Sequence, residues 1–311
     1  MKGRVLRSTG SWYLVRLENG QQINCTIRGK FRLDEDKTTN PVAVGDSVSV
    51  QFEQSDQKAI ISEIFPRINY ISRQSPKLKV ARHIIASNID QAFLIATVAQ
   101  PRTSTGFIDR FLATAEAYGI PAHIVFNKQD ILNEKVLKKQ NQMVSVYLKI
   151  GYPVHLTSIH TGLGIEQIEL MLKGKTTLLA GHSGVGKSTL INTIHPNANL
   201  KTGDISDFSK KGMHVTTFAE MMELPFDGYV IDTPGIKEFG LLDIEPNELS
   251  HYFREMRDLV NDCRFNDCLH INEPKCAVKR ALAEGKITEE RYKNYLNILD
   301  DCEVRNRERY N

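Results

Sequence analysis

No run of about 18 consecutive apolar residues occurs in this 311-residue chain, so no membrane-spanning helix is expected. The opening residues Met1-Lys2-Gly3-Arg4-Val5 lack the apolar core of a signal peptide, and a cytoplasmic location is expected with them. An excess of one charge is also missing. Lys and Arg number 40 against 37 Asp and Glu, a net +3, so nucleic-acid binding is permitted but needs a local basic patch. Cysteine is scarce, at five residues, yet Cys263, Cys268 and Cys276 fall within fourteen positions. In a reducing compartment that crowding points to metal rather than to disulfides. Cys25 and Cys302 stand apart, and Cys25 reads as core. Internal repeats and low-complexity segments are absent.

What is present is ordinary globular material, 41% hydrophobic and 25% charged, in a chain too long for one core. Two or three domains are expected. Residues 1–68 alternate apolar and polar positions at Tyr13, Val15 and Leu17, at Ile23, Cys25 and Ile27, and at Val48, Val50 and Phe52. Turn residues separate the runs. About five short strands fit an oligonucleotide-binding (OB-fold) β-barrel, and fit a small β-domain without a ligand equally well. Residues 67–88, basic at Arg67, Arg73, Lys77, Lys79, Arg82 and His83, read as a linker that is either solvated surface or a phosphate contact. From Ile89 the texture changes. Apolar runs at 92–98, 123–126, 154–156, 176–180 and 228–231 alternate with helical patterns at 108–118 and 187–194. This predicts a mostly parallel α/β sheet within residues 69–243. Residues 244–311 read as helical. Leu249, Tyr252, Phe253, Met256, Leu259 and Val260 mark one helix face, and Tyr292, Tyr295, Leu296 and Leu299 mark another.

Residues Gly181-His182-Ser183-Gly184-Val185-Gly186-Lys187-Ser188, followed by Thr189, spell G-x-x-x-x-G-K-S between an apolar strand and an apolar-faced helix. The glycines let backbone N–H groups curl around an anion, and the helix N-terminus adds its positive end. Lys187 is placed to reach the β- and γ-phosphates, and Ser188 to ligate Mg²⁺. About 45 residues further on, Asp232-Thr233-Pro234-Gly235 closes an apolar strand. Asp232 can hold Mg²⁺ through water, and the Gly235 N–H can meet the γ-phosphate. Between them, Thr216 is the leading candidate for a threonine that completes the Mg²⁺ shell, with Thr217 beside it.

Asn127-Lys128-Gln129-Asp130 follows the strand ending at Phe126 and reads N-K-x-D. The Asp130 carboxylate can accept from guanine N1–H and N2–H₂, which adenine does not offer, a discrimination of roughly 10⁴-fold. Lys128 is expected to cover the base and Asn127 to tie loops together, with Thr157 or Ser158 offering a backbone N–H to guanine O6. In common small GTPases the phosphate loop comes first, whereas here the base motif precedes it, so the order is circularly permuted. Permutation is tolerated where old termini lie close. Because the segment after Asp232 leads straight into the C-terminal part, a change at the γ-phosphate is expected to swing that part. Ile236 stands where Ras-type GTPases place a water-orienting Gln, so slow intrinsic hydrolysis and help from a partner are expected, His214 being one internal candidate for the missing group.

Cys263, Cys268, His270 and Cys276 give C-x₄-C-x-H-x₅-C, three thiolates and an imidazole suited to one structural, tetrahedral zinc ion. These motifs together resemble the bacterial ribosome small-subunit-dependent GTPase A family along essentially the whole chain. The family often reads His-Thr-Thr-Thr in the first switch, where this chain has His214-Val215-Thr216-Thr217. The resemblance implies three domains: an RNA-binding OB barrel over 1–68, a permuted GTPase over 69–243 and a zinc-binding helical domain over 244–311. It further implies a late factor in 30S maturation that contacts 16S rRNA, binds GTP and GDP, and hydrolyses GTP faster on the subunit. A single copy of the chain and no membrane partner are expected. A non-enzymatic nucleotide sensor would differ by lacking turnover, and an ATPase by binding ATP as well as GTP.

Overall fold

The period-two alternation near the N-terminus produces five strands: β1 (Lys2–Ser8), β2 (Tyr13–Leu17), β3 (Gln22–Ile27), β4 (Ser47–Phe52) and β5 (Ala59–Ile64). The computed structural model describes residues 1–27, 40–52, 59–74, 82–198, 200, 219–232 and 244–310. The strands pair in the order β1-β2-β3-β5-β4, and β1 also pairs with β4, which closes a barrel. Val5, Tyr13, Val15, Cys25, Val48 and Ile61 point inward and are fully buried, as the alternation requires.

Residues 67–88 depart from the expected linker. β6 (Tyr70–Gln74) and β7 (Arg82–Ser87) pair antiparallel. Ile71, Ile84 and Ala86 are buried on the pair, and the Asn40 side chain bonds both the N–H and the C=O of Ile84, at 2.9 and 2.8 Å. The basic residues of this stretch had hidden a period-two core pattern.

The α/β part runs β8 (Gln91–Ala96), α1 (Thr105–Ala117), β9 (Ala122–Phe126), α2 (Glu134–Ile150), β10 (Val154–Leu156), α3 (Ile165–Leu172), β11 (Thr176–Ala180), α4 (Lys187–Ile194), β12 (Glu220–Glu223) and β13 (Tyr229–Asp232). Short helices α5 (Arg254–Arg257) and α6 (Ala277–Ala283) precede the long α7 (Glu289–Tyr310). The single helix expected around Leu249–Val260 is instead two 3₁₀ turns, Pro246–Tyr252 and Val260–Asp262, flanking α5. Phe253 breaks it with an extended backbone (φ −107°, ψ 106°), yet Leu249, Phe253 and Met256 all reach the core.

The chain divides into two compact units. The first comprises residues 1–93, 166–183 and 187–238. In it β8-β11-β13-β12-β1 are successive neighbours, with β11 and β13 parallel and β12 antiparallel to both β13 and β1. Every residue of β11 is buried, as expected of a central parallel strand. The second unit comprises residues 94–165, 184–186 and 239–311. There β9 lies between β8 and β10. Ala113 of α1 shares a core with Phe253, Met256, Val278, Tyr295 and Leu299. An ionic centre fastens α7 to α1. Arg291 lies 2.6 Å from Asp109 Oδ1 and 2.6 Å from Glu255 Oε1. Asp109 also accepts from Tyr147 Oη at 2.8 Å and Asn294 Nδ2 at 2.6 Å. Burial pushes the Asp109 carboxyl up, and the Arg291 cation opposes that shift. No helix among the described residues is long and apolar enough to cross a membrane.

Candidate functional site

In the second unit, β9 and β10 run parallel and deliver the base motif at their carboxyl ends, where open α/β sheets bind ligands. Asn127 N–H donates to Ala96 O at 2.8 Å, and Thr157 N–H to Phe126 O at 2.9 Å. Lys128 takes a left-handed turn (φ 64°), and its Nζ donates to Gln100 O at 2.7 Å. The Asp130 carboxylate accepts the Ser158 hydroxyl, which holds it below the usual carboxylate range and keeps it an acceptor at neutral pH. Gln129 and Gln140 exchange side-chain hydrogen bonds of 3.1 and 2.7 Å that brace the turn.

Asn127 links this motif to the phosphate loop. Its Nδ2 donates to Val185 O at 2.9 Å, and its Oδ1 accepts from Thr157 Oγ1 at 3.2 Å. Val185 is fully buried. Gly186 is required there: its φ is +103°, and a Cβ would lie 2.5 Å from Asn127 Nδ2.

In the first unit, α4 begins at Lys187, so Ser188 and Thr189 sit in its first turn, at the positive end of the helix. Leu190, Ile191 and Ile194 anchor that helix in the core. Lys187 Nζ donates to Gly181 O at 2.7 Å and His182 O at 3.0 Å. Burial lowers the Lys187 pKa, and the nearby Asp232 charge acts the other way. Asp232 ends β13, in register with Leu179 of β11. Ser183 and Gly184 are exposed. Thr216, Thr217, His214, Gly235 and Ile236 lie outside the described residues.

Cys263, Cys268, His270 and Cys276 bring their donor atoms within 4.8 Å of one another. His270 Nδ1 lies 3.3 Å from Cys276 Sγ and 3.6 Å from Cys263 Sγ, the separations two ligands of one small ion need. His270 holds φ 61°, which turns its ring into the cluster. Ala277 N–H and Lys279 N–H point at Cys263 Sγ and Cys276 Sγ, both at 3.4 Å, and favour thiolates. Glu273 accepts from Leu269 N–H and Ile271 N–H, both at 2.8 Å, and fixes the turn that carries His270. Burial pushes the Cys268 thiol up to about 12 and keeps the His270 imidazole neutral. A bound dication would reverse the thiol shift. The donor set therefore fits a metal ion.

The loop after β8 adds two contacts to the site. Its Gln100 carbonyl receives Lys128, and Pro101 packs 3.6 Å from where a Gly184 side chain would begin. Both contacts use backbone or ring carbon, so no motif marks them. The amides named for guanine O6 are both engaged within the protein: Thr157 N–H as above, and Ser158 N–H with Leu163 O at 3.0 Å.

Comparison with known proteins shows the family of the chain. Residues 2–61 match the RsgA N-terminal domain and residues 64–242 the RsgA GTPase. The small ribosomal subunit biogenesis GTPase RsgA 2 of Bacteroides thetaiotaomicron is 51% identical over 303 residues, 97% of each chain. RsgA of Flavobacterium johnsoniae is 50% identical over 97% of this chain and 94% of its own. Among solved structures, YjeQ from Thermotoga maritima superposes with a TM-score of 0.79 at 37% identity, covering 97% of this chain and 98% of that one. YloQ, described as a circularly permuted GTPase, gives 0.74 at 31% identity over 98% and 95%. The barrel, the permuted motifs and the cysteine cluster thus sit in a chain half identical to such relatives from end to end, and it belongs to the RsgA GTPase family.

Proposed function

We propose that this protein is a ribosome-stimulated GTPase of late 30S maturation that binds 16S rRNA and hydrolyses one GTP to GDP and phosphate. The observation that carries the nucleotide reading is the hydrogen bond from Asn127 to Val185, which ties the base motif to the phosphate loop. Asp130 accepts from guanine N1–H and N2–H₂, and Lys128 covers the ring. With the Thr157 and Ser158 amides engaged, guanine O6 falls to the next amide along, that of Ile159. The loop amides from Gly181 to Thr189 hold the phosphates, and Lys187 leaves its carbonyl partners for the β- and γ-oxygens. Mg²⁺, when bound, neutralises charge developing on the phosphates. Ser188 and Thr216 are its ligands in this reading, with Asp232 behind them, and the Gly235 N–H meets the γ-phosphate. Ile236 has no group to orient water, so the subunit supplies or organises one.

In this reading zinc fills the Cys263, Cys268, His270 and Cys276 cluster, residues 1–68 and 244–311 contact rRNA, and a single copy acts in the cytoplasm. GTP turnover with and without purified 30S subunits tests it. The subunit is expected to raise the rate by roughly ten-fold or more. A near-zero rate in both conditions would make the protein a nucleotide sensor without catalysis.

A further inference from the structure

The barrel meets the phosphate half through one strand edge. β1 pairs with β12 at Arg7↔Glu220, and β12 pairs with β13 along its length, from Glu220↔Asp232 to Glu223↔Tyr229. Directly opposite residues of an antiparallel pair share a face, and like charges there are unfavourable. Each partner carries such a rung. Arg4 faces Arg16 between β1 and β2, and Glu220 faces Asp232 between β12 and β13. One member of each rung is answered by an opposite charge from across the junction. Arg16 donates to both carboxylate oxygens of Glu223 at 2.8 Å, and Arg7 pairs with Glu220. Arg4 donates to Thr176 Oγ1 at 3.0 Å and lies 5.1 Å over the Tyr229 ring. The rest of the junction is a polar cleft of about 750 Å³, lined by Lys2, Lys175 and Asp227 among others. These arginines weaken the barrel taken alone, so their placement is explained by the β12–β13 ribbon they grip.

We propose that Arg16 and Glu223, with Arg7 and Glu220, are positioning residues for Asp232, holding the ribbon that ends at this carboxylate and making Mg²⁺ engagement depend on how the barrel is seated. The inference rests on the reading of Asp232 as the carboxylate on the Mg²⁺ side. The barrel occupies the free edge of β12 as an added strand would.

Release of a fluorescent GDP analogue from the full chain, followed over a range of Mg²⁺ concentrations and in EDTA, tests this. The variants are Arg16→Glu, Glu223→Arg and the double swap. Arg16→Glu faces Arg4, so the barrel's own rung becomes attractive and the fold is spared. Glu223 sits opposite Tyr229, so its replacement leaves the charge facing Asp232 in place. Each single variant is expected to raise the Mg²⁺ concentration that half-slows release by roughly three- to ten-fold. Release in EDTA should stay within about two-fold, and the swap should return to wild-type behaviour. Glu223→Gln, which removes only the charge, serves as a milder second variant. Single variants with an unchanged Mg²⁺ requirement, or a swap that melts like wild type without restoring it, would overturn the proposal. A wild-type chain whose GDP release ignores Mg²⁺ would instead remove the Mg²⁺ reading itself.

Discussion

Asn127 bridges two stretches of chain with one amide: it accepts from Thr157 on one side and donates to Val185 of the phosphate loop on the other. Its type was legible in the sequence because guanine recognition fixes N-K-x-D, just as phosphate binding fixes Gly186 and Lys187. Gln100 and Pro101 were not legible, since they act through backbone or packing that many residue types supply. The Arg291 centre was equally silent. A lone Arg on a helix reads as surface, and only the fold shows it 4% exposed between Asp109 and Glu255. Arg291→Ala strands two buried carboxylates and is expected to destabilise the chain by about 3–5 kcal/mol, read as a lower urea midpoint. A loss under about 1 kcal/mol would mean that the pairing only offsets its own desolvation.

At the scale of elements, β2, β3 and β4 announced themselves by alternation and β8 and β11 by unbroken apolar runs, whereas β6 and β7 were masked by their basic residues. β12 escaped because Glu220-Met221-Met222-Glu223 carries charge at both ends, which the barrel arginines neutralise. The broken helix near Phe253 escaped because its apolar spacing survives the break. The cysteine cluster was legible, since soft ligands at short spacing have few other uses. Around it, Tyr292 and Tyr295 of α7 donate to His270 O at 2.6 Å and Leu269 O at 3.0 Å, so the cysteine cluster and the long helix share one turn. A zinc chelator should expose the thiols of Cys263, Cys268 and Cys276 to a thiol reagent and loosen the C-terminal helices, a loss on the order of 10 kcal/mol of binding energy. Thiols that react equally fast before chelation would show that no ion holds them.

At the scale of the whole molecule, the two additions to the GTPase are attached in different ways. α7 and α5 are fixed to α1 by a desolvated ionic centre. The barrel is held by one strand edge, partly exposed arginine pairs and a polar cleft. Polar junctions of the second kind are the ones that permit motion. The expectation that the C-terminal part swings on loss of the γ-phosphate runs through residues 233–243, which lie outside the described residues, and a comparison of GDP and GTP-analogue states tests it. All of this presumes that motifs in reversed chain order serve one nucleotide. Asp130→Asn tests that most directly, because it turns the base acceptor into a donor that suits xanthine and not guanine. GTP affinity should fall by roughly 10²- to 10⁴-fold while xanthosine triphosphate becomes a ligand, and adding Lys187→Ala should weaken that new binding too. Wild-type GTP affinity in Asp130→Asn, or xanthosine triphosphate binding that ignores Lys187→Ala, would contradict the account.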